Sequence, residues 1–457
     1  MRVIVQIRPE PDVVAAVVDP GQTTPVAADI ARSIPGLALD PDFAPVAVPQ
    51  PRPADPGGDP LNLEQPLEFS LAPEDASVLV RGEIQDYDPA ARLAVLGTVR
   101  PDIVGVSADP VVATTPTCGG TPPVGDWHDV QRAVTDALRA EGLDGHGVPL
   151  AIVDTGINAA HVGRVLGTTV AVDAARGWKP AGVEGDFGAF PVNHGTMCAF
   201  DALIVAPGVD LVDIPVLLSQ RTGATAMEGL LSDAIAAYAH LRAQLESLPA
   251  EQRTLVVSNS WGSFKPGWDF PPGQPGNYSD NRAHPFNLAV AALEQAGADI
   301  LFAAGNCGRD CPDSRCGFPD RPINGANSHP AVLSVAGIDT RGARVGYSSQ
   351  GPGRLSRRKP DIATYTHFAG SGAFGAHSPD SGTSAACPVA AGIVAALRTR
   401  LPATQLPPAG MRTLLRRTAV DAGADGFDYD YGYGIIDTTA LAEALRHRAK
   451  AGTRARL

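Results

Sequence analysis

Apolar positions along this chain fall into two textures. From about residue 125 to 445, short runs are apolar at nearly every position: "VPLAIVDTG" (148–156), "VDLVDIPVL" (209–217), "TLVVSNSWG" (254–262), "DILFAAGN" (299–306) and "AVLSVAGI" (331–338). Unbroken apolar runs of this length are the pattern of strands covered on both faces. Between and after them, "MEGLLSDAIAAYAHLRAQLES" (227–247), "PFNLAVAALEQAG" (285–297) and "VAAGIVAAL" (389–397) have helical spacing. The alternation predicts an α/β fold, a doubly wound, mostly parallel sheet with helices on both faces. In such sheets, sites form at the carboxyl ends of the strands.

Residues 1–118 read differently. A strand "RVIVQI" leads through a helix over 25–34 to "GLALDPDFAPVAV"; "SVLVRGEI" leads through a second helix over 88–99 to "DIVGVSADPVV". This β-α-β-β-α-β order predicts a small α+β, ferredoxin-like domain. Within it, residues about 46–66, including "PQPRPADPGGDPLNLEQP", form a Pro/Asp-rich insert. "ATTPTCGGTPPVGD" (113–126) reads as an exposed linker to the larger domain, 119–447, and residues 448–457 as a basic tail.

Composition narrows the function classes. The chain has 457 residues, is 44% hydrophobic and carries a formal charge of −13, so a folded core is expected and a nucleic-acid partner is not. No apolar run reaches 18 residues, which predicts no membrane span. The N-terminus "MRVIVQIRPEPDVV" lacks the apolar core of a secretory signal, so a cytoplasmic location is the default, with export by another route left open.

Candidate chemistry collects at the strand ends. Asp154 follows a buried strand, His194 opens "HGTMCAFDALIV", Asn306 ends "LFAAGN", and Ser384 lies in "SPDSGTSAACP". Singly, each has a plain alternative: a turn aspartate, a structural histidine, a turn asparagine, a helix-capping serine. Together, the ordered set "VDTG", "HGT", "AAGN" and "SGTSAACP" resembles the subtilisin-like serine peptidases, with "SNSWG", "YSSQGP" and "KPDIA" as supporting matches over roughly 125–445.

The resemblance implies a serine endopeptidase made as a zymogen. Ser384 would be the nucleophile, His194 the base and Asp154 its orienting partner. Asn306 would donate to the oxyanion, and Ser260, Trp261 and Gly262 would line the substrate cleft by strand addition. For Trp261, a plain buried strand end weighs equally. Residues 1–118 would be an intramolecular inhibitor whose final strand and tail, "IVGVSADPVVATTPT", lies in the cleft; the alternative is a permanent accessory domain. The partner is a polypeptide substrate. No cofactor is needed for the chemistry, and structural calcium, common in the family, is admitted without assigned ligands. Non-enzymatic alternatives are a peptide-binding pseudoprotease and a metal- or redox-responsive protein.

That last alternative rests on Cys307, Cys311 and Cys316, three of the six cysteines. They offer soft ligands without a paired CxxC set, so a free thiol or a disulfide is preferred to a metal. Cys198 and Cys387 read as buried packing residues, and Cys118 is left open. Asp310 and Asp313 read as solvated loop charges rather than a pocket for cationic side chains.

Overall fold

The structure is a computed structural model that describes residues 1–8, 11–18, 37–53, 67–70, 72, 75–84, 102–114, 117, 121–219, 227–312 and 315–454. The helices expected over 25–34 and 88–99, together with Cys118 and Asp313, lie outside the described residues.

The N-terminal part is an antiparallel sheet. Its strands are β1 (Arg2–Ile7), β2 (Leu37–Leu39), β3 (Val46–Pro53), β4 (Leu67–Ser70), β5 (Ala76–Ile84) and β6 (Ile103–Ala108). They run in the order β4-β3-β5-β1-β6, with β2 on β5. Taking β1, β3, β5 and β6 as the strands of the two β-α-β units, this is the antiparallel order expected of a ferredoxin-like sandwich. The first residues of the presumed insert, 46–53, are strand β3 itself, because Val46–Pro49 find partners on β5 and Gln50–Pro53 on β4. A helix not anticipated from the pattern, α1 (Pro11–Val18), follows β1.

Strand periodicity gives this sheet two apolar faces. Val3, Val5, Val78 and Val80 join Val14 and Val17 of α1 in one core. Ile4, Leu79, Val46 and Val48 point the other way, into a core built largely from the second domain. Burial on both sides accounts for the near-continuous apolar run of β1.

Strand β7 (Val111–Ala113) leaves this sheet and pairs with β10 (Glu228–Leu230). The start of the presumed linker is therefore a buried strand end: Ala113 and Thr114 are covered. Likewise Glu228–Leu230, read as the first turn of a helix, is strand, because β7 supplies its hydrogen-bonding partner.

The larger domain begins with α2 (Trp127–Ala140) and centres on six parallel strands. These are β8 (Pro149–Val153), β9 (Asp210–Ile214), β11 (Leu255–Asn259), β12 (Ala298–Ala303), β13 (Leu333–Ile338) and β14 (Ile362–Tyr365). Their order is β14-β13-β12-β11-β8-β9. Between β8 and β11 the direction of winding reverses, and a crevice opens at the carboxyl ends of such a pair. Helices α4 (His194–Leu203) and α7 (Thr383–Arg398) pack together on one face, joined by α2. On the other lie α5 (Leu231–Glu246) and α6 (Pro285–Gln295), with the N-terminal sheet against them. Three further helices are α3 (Ala159–Leu166), α8 (Pro408–Thr418) and α9 (Thr438–Arg454). The last of these carries helix into the stretch read as a tail.

Candidate active site

Asp154 stands directly after β8, at the switch point, and its backbone N–H still bonds to Ile214 of β9. The turn that follows is shaped by the "TG" dipeptide. Thr155 N–H donates to Asp154 Oδ1 (2.8 Å), and Thr155 Oγ1 accepts from Gly195 N–H (2.8 Å). A Cβ on Gly195 would stand 2.6 Å from the Gly156 carbonyl oxygen, so only glycine lets α4 start this close to the turn. The asparagine before it, Asn193, caps the helix.

This contact delivers His194 to Asp154. Imidazole Nδ1 lies 2.9 Å from both carboxylate oxygens, with the two side chains buried. A carboxylate on Nδ1 favours the tautomer protonated there and leaves Nε2 as the acceptor.

Ser384 sits in the first turn of α7, whose packing on α4 brings it toward His194. The described contact of its Oγ is with the Ser260 carbonyl (3.4 Å); no direct bond to His194 is among the described hydrogen bonds. Cys198, one turn after His194 on α4, fills the space between the helices. Its Sγ is 3.7 Å from His194 Nδ1, 3.7 Å from Asp154 Oδ2 and 3.6 Å from the Ser384 carbonyl. Burial, and then the Asp154 carboxylate, push this thiol well above its ordinary range. Burial also pushes Cys387 up to about 12. Both are neutral packing groups, as expected from their helical positions.

Asn306 follows β12. Its Oδ1 accepts from the N–H (2.8 Å) and hydroxyl (3.0 Å) of Thr383, which turns the amide nitrogen toward the serine. The convergence can be located at Gly382, where φ is +79°. A Cβ placed there would lie 2.8 Å from Asn306 Nδ2, 3.3 Å from Ser384 N and 3.3 Å from Ser384 Oγ. One hydroxyl and two N–H donors thus gather about one point.

The three residues of "SWG" play separate parts. Ser260 Oγ donates to the Ser384 carbonyl (2.9 Å), tying β11 to α7. The Trp261 indole is buried against Phe286 and Phe302 and donates to the Val153 carbonyl (2.9 Å), so its side chain is core and only its backbone faces the cleft. Gly262 exchanges two main-chain bonds with Ala113, at 3.0 and 3.1 Å. Strand β7 therefore lies between β10 and Gly262, in the groove that leads to Ser384.

The cysteine loop is corrected as a metal candidate. Cys307 and Cys316 are bonded to each other, and Cys311 is also disulfide-bonded, so none is a thiolate ligand. Asp310 is exposed and paired with Arg344. Among the described residues, the one group of three or more His, Cys, Asp or Glu with converging ligand atoms is Asp154, His194 and Cys198. No helix among the described residues is long and apolar enough to cross a membrane.

Comparison with known proteins agrees with this geometry. Residues 145–434 match the model of the Subtilase family (Peptidase_S8). Fervidolysin from Fervidobacterium pennivorans is 26% identical over 330 residues, covering 66% of this chain and 42% of its own. Subtilisin DY from Bacillus licheniformis is 26% identical over 313 residues, covering 67% of this chain and 95% of its own. The crystal structure of fervidolysin, described as a keratinolytic enzyme related to subtilisin, superposes with a TM-score of 0.57 over 97% of this chain and 60% of that one, at 17% identity. That likeness is one of fold, and it extends through the N-terminal sheet. With a family match over most of its length and the ordered strand-end residues in place, the chain belongs to the subtilase family.

Proposed function

We propose that this chain is a serine endopeptidase with Asp154, His194 and Ser384 as its triad, held latent by its own N-terminal part. The observation that carries the reading is the buried Asp154–His194 pair at 2.9 Å, with Ser384 and Asn306 gathered beside it at the switch point.

In the reaction, Ser384 Oγ turns from the Ser260 carbonyl to His194 Nε2, gives up its proton and attacks the scissile carbonyl. His194 then passes that proton to the leaving amine, and water repeats the sequence to free the acid. Asp154 stabilises the imidazolium. Asn306 Nδ2 and the Ser384 N–H bind the tetrahedral oxyanion. Losing the equivalent asparagine costs about 10²–10³ in kcat in subtilisin itself, a relative's value rather than one derived from this chain.

The substrate enters as a strand. Glu228–Leu230 and Gly262 present main-chain groups on both sides of the groove, which suits an extended peptide of varied sequence. Strand β7 occupies that groove in the present state, which supports the N-terminal part as an intramolecular inhibitor.

The test is the intact mass of wild type and Ser384→Ala after exposure to a fluorophosphonate. An adduct on wild type alone, together with peptide hydrolysis that Ser384→Ala abolishes, is expected. Hydrolysis that persists in Ser384→Ala would refute the assignment.

A further inference from the structure

Beside Ser384 lies a pocket walled by Ser260–Gly262 on one side and Ala303–Cys307 on the other, and closed by Phe264, Pro322 and Asn324. Its cavity volume is about 20 Å³, close to the least space that holds one water. A phenyl ring does not fit there without displacing a wall.

The wall at Phe264 is held from several directions. The ring is buried, lies edge-on to Trp268 at 5.0 Å, and carries the Arg315 guanidinium over its face at 5.2 Å. The Phe264 carbonyl accepts from Gly317 N–H (2.9 Å). Gly317 follows Cys316, which is bonded to Cys307, the pocket residue next to Asn306. Swinging the ring aside therefore gives up its contacts with Trp268 and Arg315, while the backbone that carries it stays fastened to the cysteine loop.

The register of the groove shows which substrate residue meets this pocket. A strand running as β7 does sets one residue opposite Gly262, and antiparallel pairing brings the residue two places on opposite Ser260. Ser260 is the residue whose carbonyl contacts Ser384 Oγ. The residue there carries the scissile carbonyl, and its side chain faces the pocket.

We propose that Phe264 makes this a shallow specificity pocket, so that the enzyme cuts after alanine, serine and residues of similar size and not after aromatic ones. The proposal rests on the peptidase reading above and adds the substrate class.

The experiment uses the full chain and peptidyl nitroanilides identical except at the acyl-side residue, which is Ala, Ser, Leu or Phe, at roughly millimolar concentration so that they compete with the tethered β7. Active serine is counted in parallel with a fluorophosphonate. Misfits in apolar pockets are worth about 10–200-fold, so wild type is expected to favour Ala over Phe in kcat/KM by about tenfold or more. Phe264→Ala should raise kcat/KM on the Phe substrate relative to the Ala substrate by a comparable factor. Equal or better cleavage after Phe in wild type overturns the proposal, and needs no variant to fold. A folded Phe264→Ala that gains nothing on Phe also overturns it, as does reactive Ser384 that turns over none of the four peptides. Absence of both labelling and hydrolysis, in wild type and equally in Arg81→Met, which loses the buried ion pair to Asp233 that holds the N-terminal sheet, would instead refute the serine peptidase reading beneath it.

Discussion

Replacing Arg81 with methionine is expected to unlatch the N-terminal sheet from the domain that carries Ser384. The guanidinium is buried between the two. Its Nη1 donates to Asp233 Oδ2 (2.8 Å) and Ser232 Oγ (3.0 Å) at the start of α5, and its Nε donates to Asp40 (2.9 Å) in its own sheet. Asp109 adds a further buried carboxylate, whose oxygens accept from the Ser232 N–H and hydroxyl, both at 2.8 Å. One cation thus serves three carboxylates. Methionine keeps the stem's packing but leaves Asp233 and Asp109 without a counter-charge while the parts are docked. Once they separate, water solvates both, so the loss falls on docking and not on the peptidase fold. Removing one partner of a buried pair costs about 3–5 kcal/mol, and the partly exposed Asp40 adds little. At about 1.36 kcal/mol per decade the docking equilibrium weakens by roughly 10²–10⁴-fold.

The assay is the second-order rate at which a fluorophosphonate labels Ser384 in the full-length chain. When opening is fast, that rate follows the open fraction, so it should rise by the same factor until the groove is fully free. Near-UV circular dichroism checks that the larger domain stays folded. A folded variant labelled at the wild-type rate would show that the N-terminal sheet does not gate the serine, and the inhibitor reading would fall.

Other expectations follow from the same geometry. Burial pushes the Asp109 carboxyl up to about 6, above the roughly 3.9 of a solvated aspartate. The docked state therefore binds more protons, and docking tightens as pH falls through the window from about 6 to about 4 and is weakest above it. Amide protection at Ala113 and Gly262, corrected for intrinsic exchange, should follow that curve, and Asp109→Asn should flatten it. In Gly382→Ala the new methyl meets Asn306 Nδ2 at 2.8 Å on a backbone at φ 79° and ψ 164°, a region almost confined to glycine; kcat should fall while stability drops by about 1–3 kcal/mol, and a purely thermal defect would contradict the oxyanion assignment. His194→Ala with Ser384→Ala should cost no more than either alone, and an additive loss would mean that the two do not act as a unit. Serine at both Cys307 and Cys316 frees a loop with a sequence separation of 9. It should lower stability by up to about 3 kcal/mol, read by denaturant unfolding.

How much was legible depended on where the deciding contacts lie along the chain. Apolar runs such as "LAIV" and "LVVSN" read correctly as buried strands because parallel strands need no information from their neighbours to stay apolar. That Asp154, His194, Asn306 and Ser384 lie together was legible because each sits at a strand end or helix start, with small residues that leave room for close approach. What the pattern missed was set by distant partners. Glu228–Leu230 continues an apolar helical spacing, and only pairing with β7 makes it strand. Trp261 could be wall or core until the Val153 carbonyl and two phenylalanine rings fixed its indole inside. The cysteine loop gave composition but no geometry, and pairing of Cys307 with Cys316 removed the metal option. Strand β14 is four residues long and begins within "KPDIA", too short for a periodicity of its own. The size of the pocket at Phe264 is set by Trp268, Arg315 and Gly317 together, which no local pattern could show.

The placement of β7 constrains how such an enzyme could be turned on. Its main-chain groups bond on both sides, to β10 and to Gly262, and these are the bonds an extended substrate must make. The resident strand is tethered, so it competes at an effective concentration of order millimolar, reinforced by the Arg81 cluster and the apolar face around Ile4, Val46 and Leu79. A peptide at micromolar concentration cannot displace it by mass action. Activity at such concentrations requires, on this reading, an event that weakens docking itself, either a cut in the chain between the two parts or loss of charge balance at Arg81. Stronger main-chain pairing in the groove would not help, because every main-chain bond offered to substrate is offered equally to β7. The side-chain pocket beside Ser384 is where a substrate can gain something the main-chain pairing of β7 does not supply, which is why its shape at Phe264 should govern both selectivity and the threshold for activation.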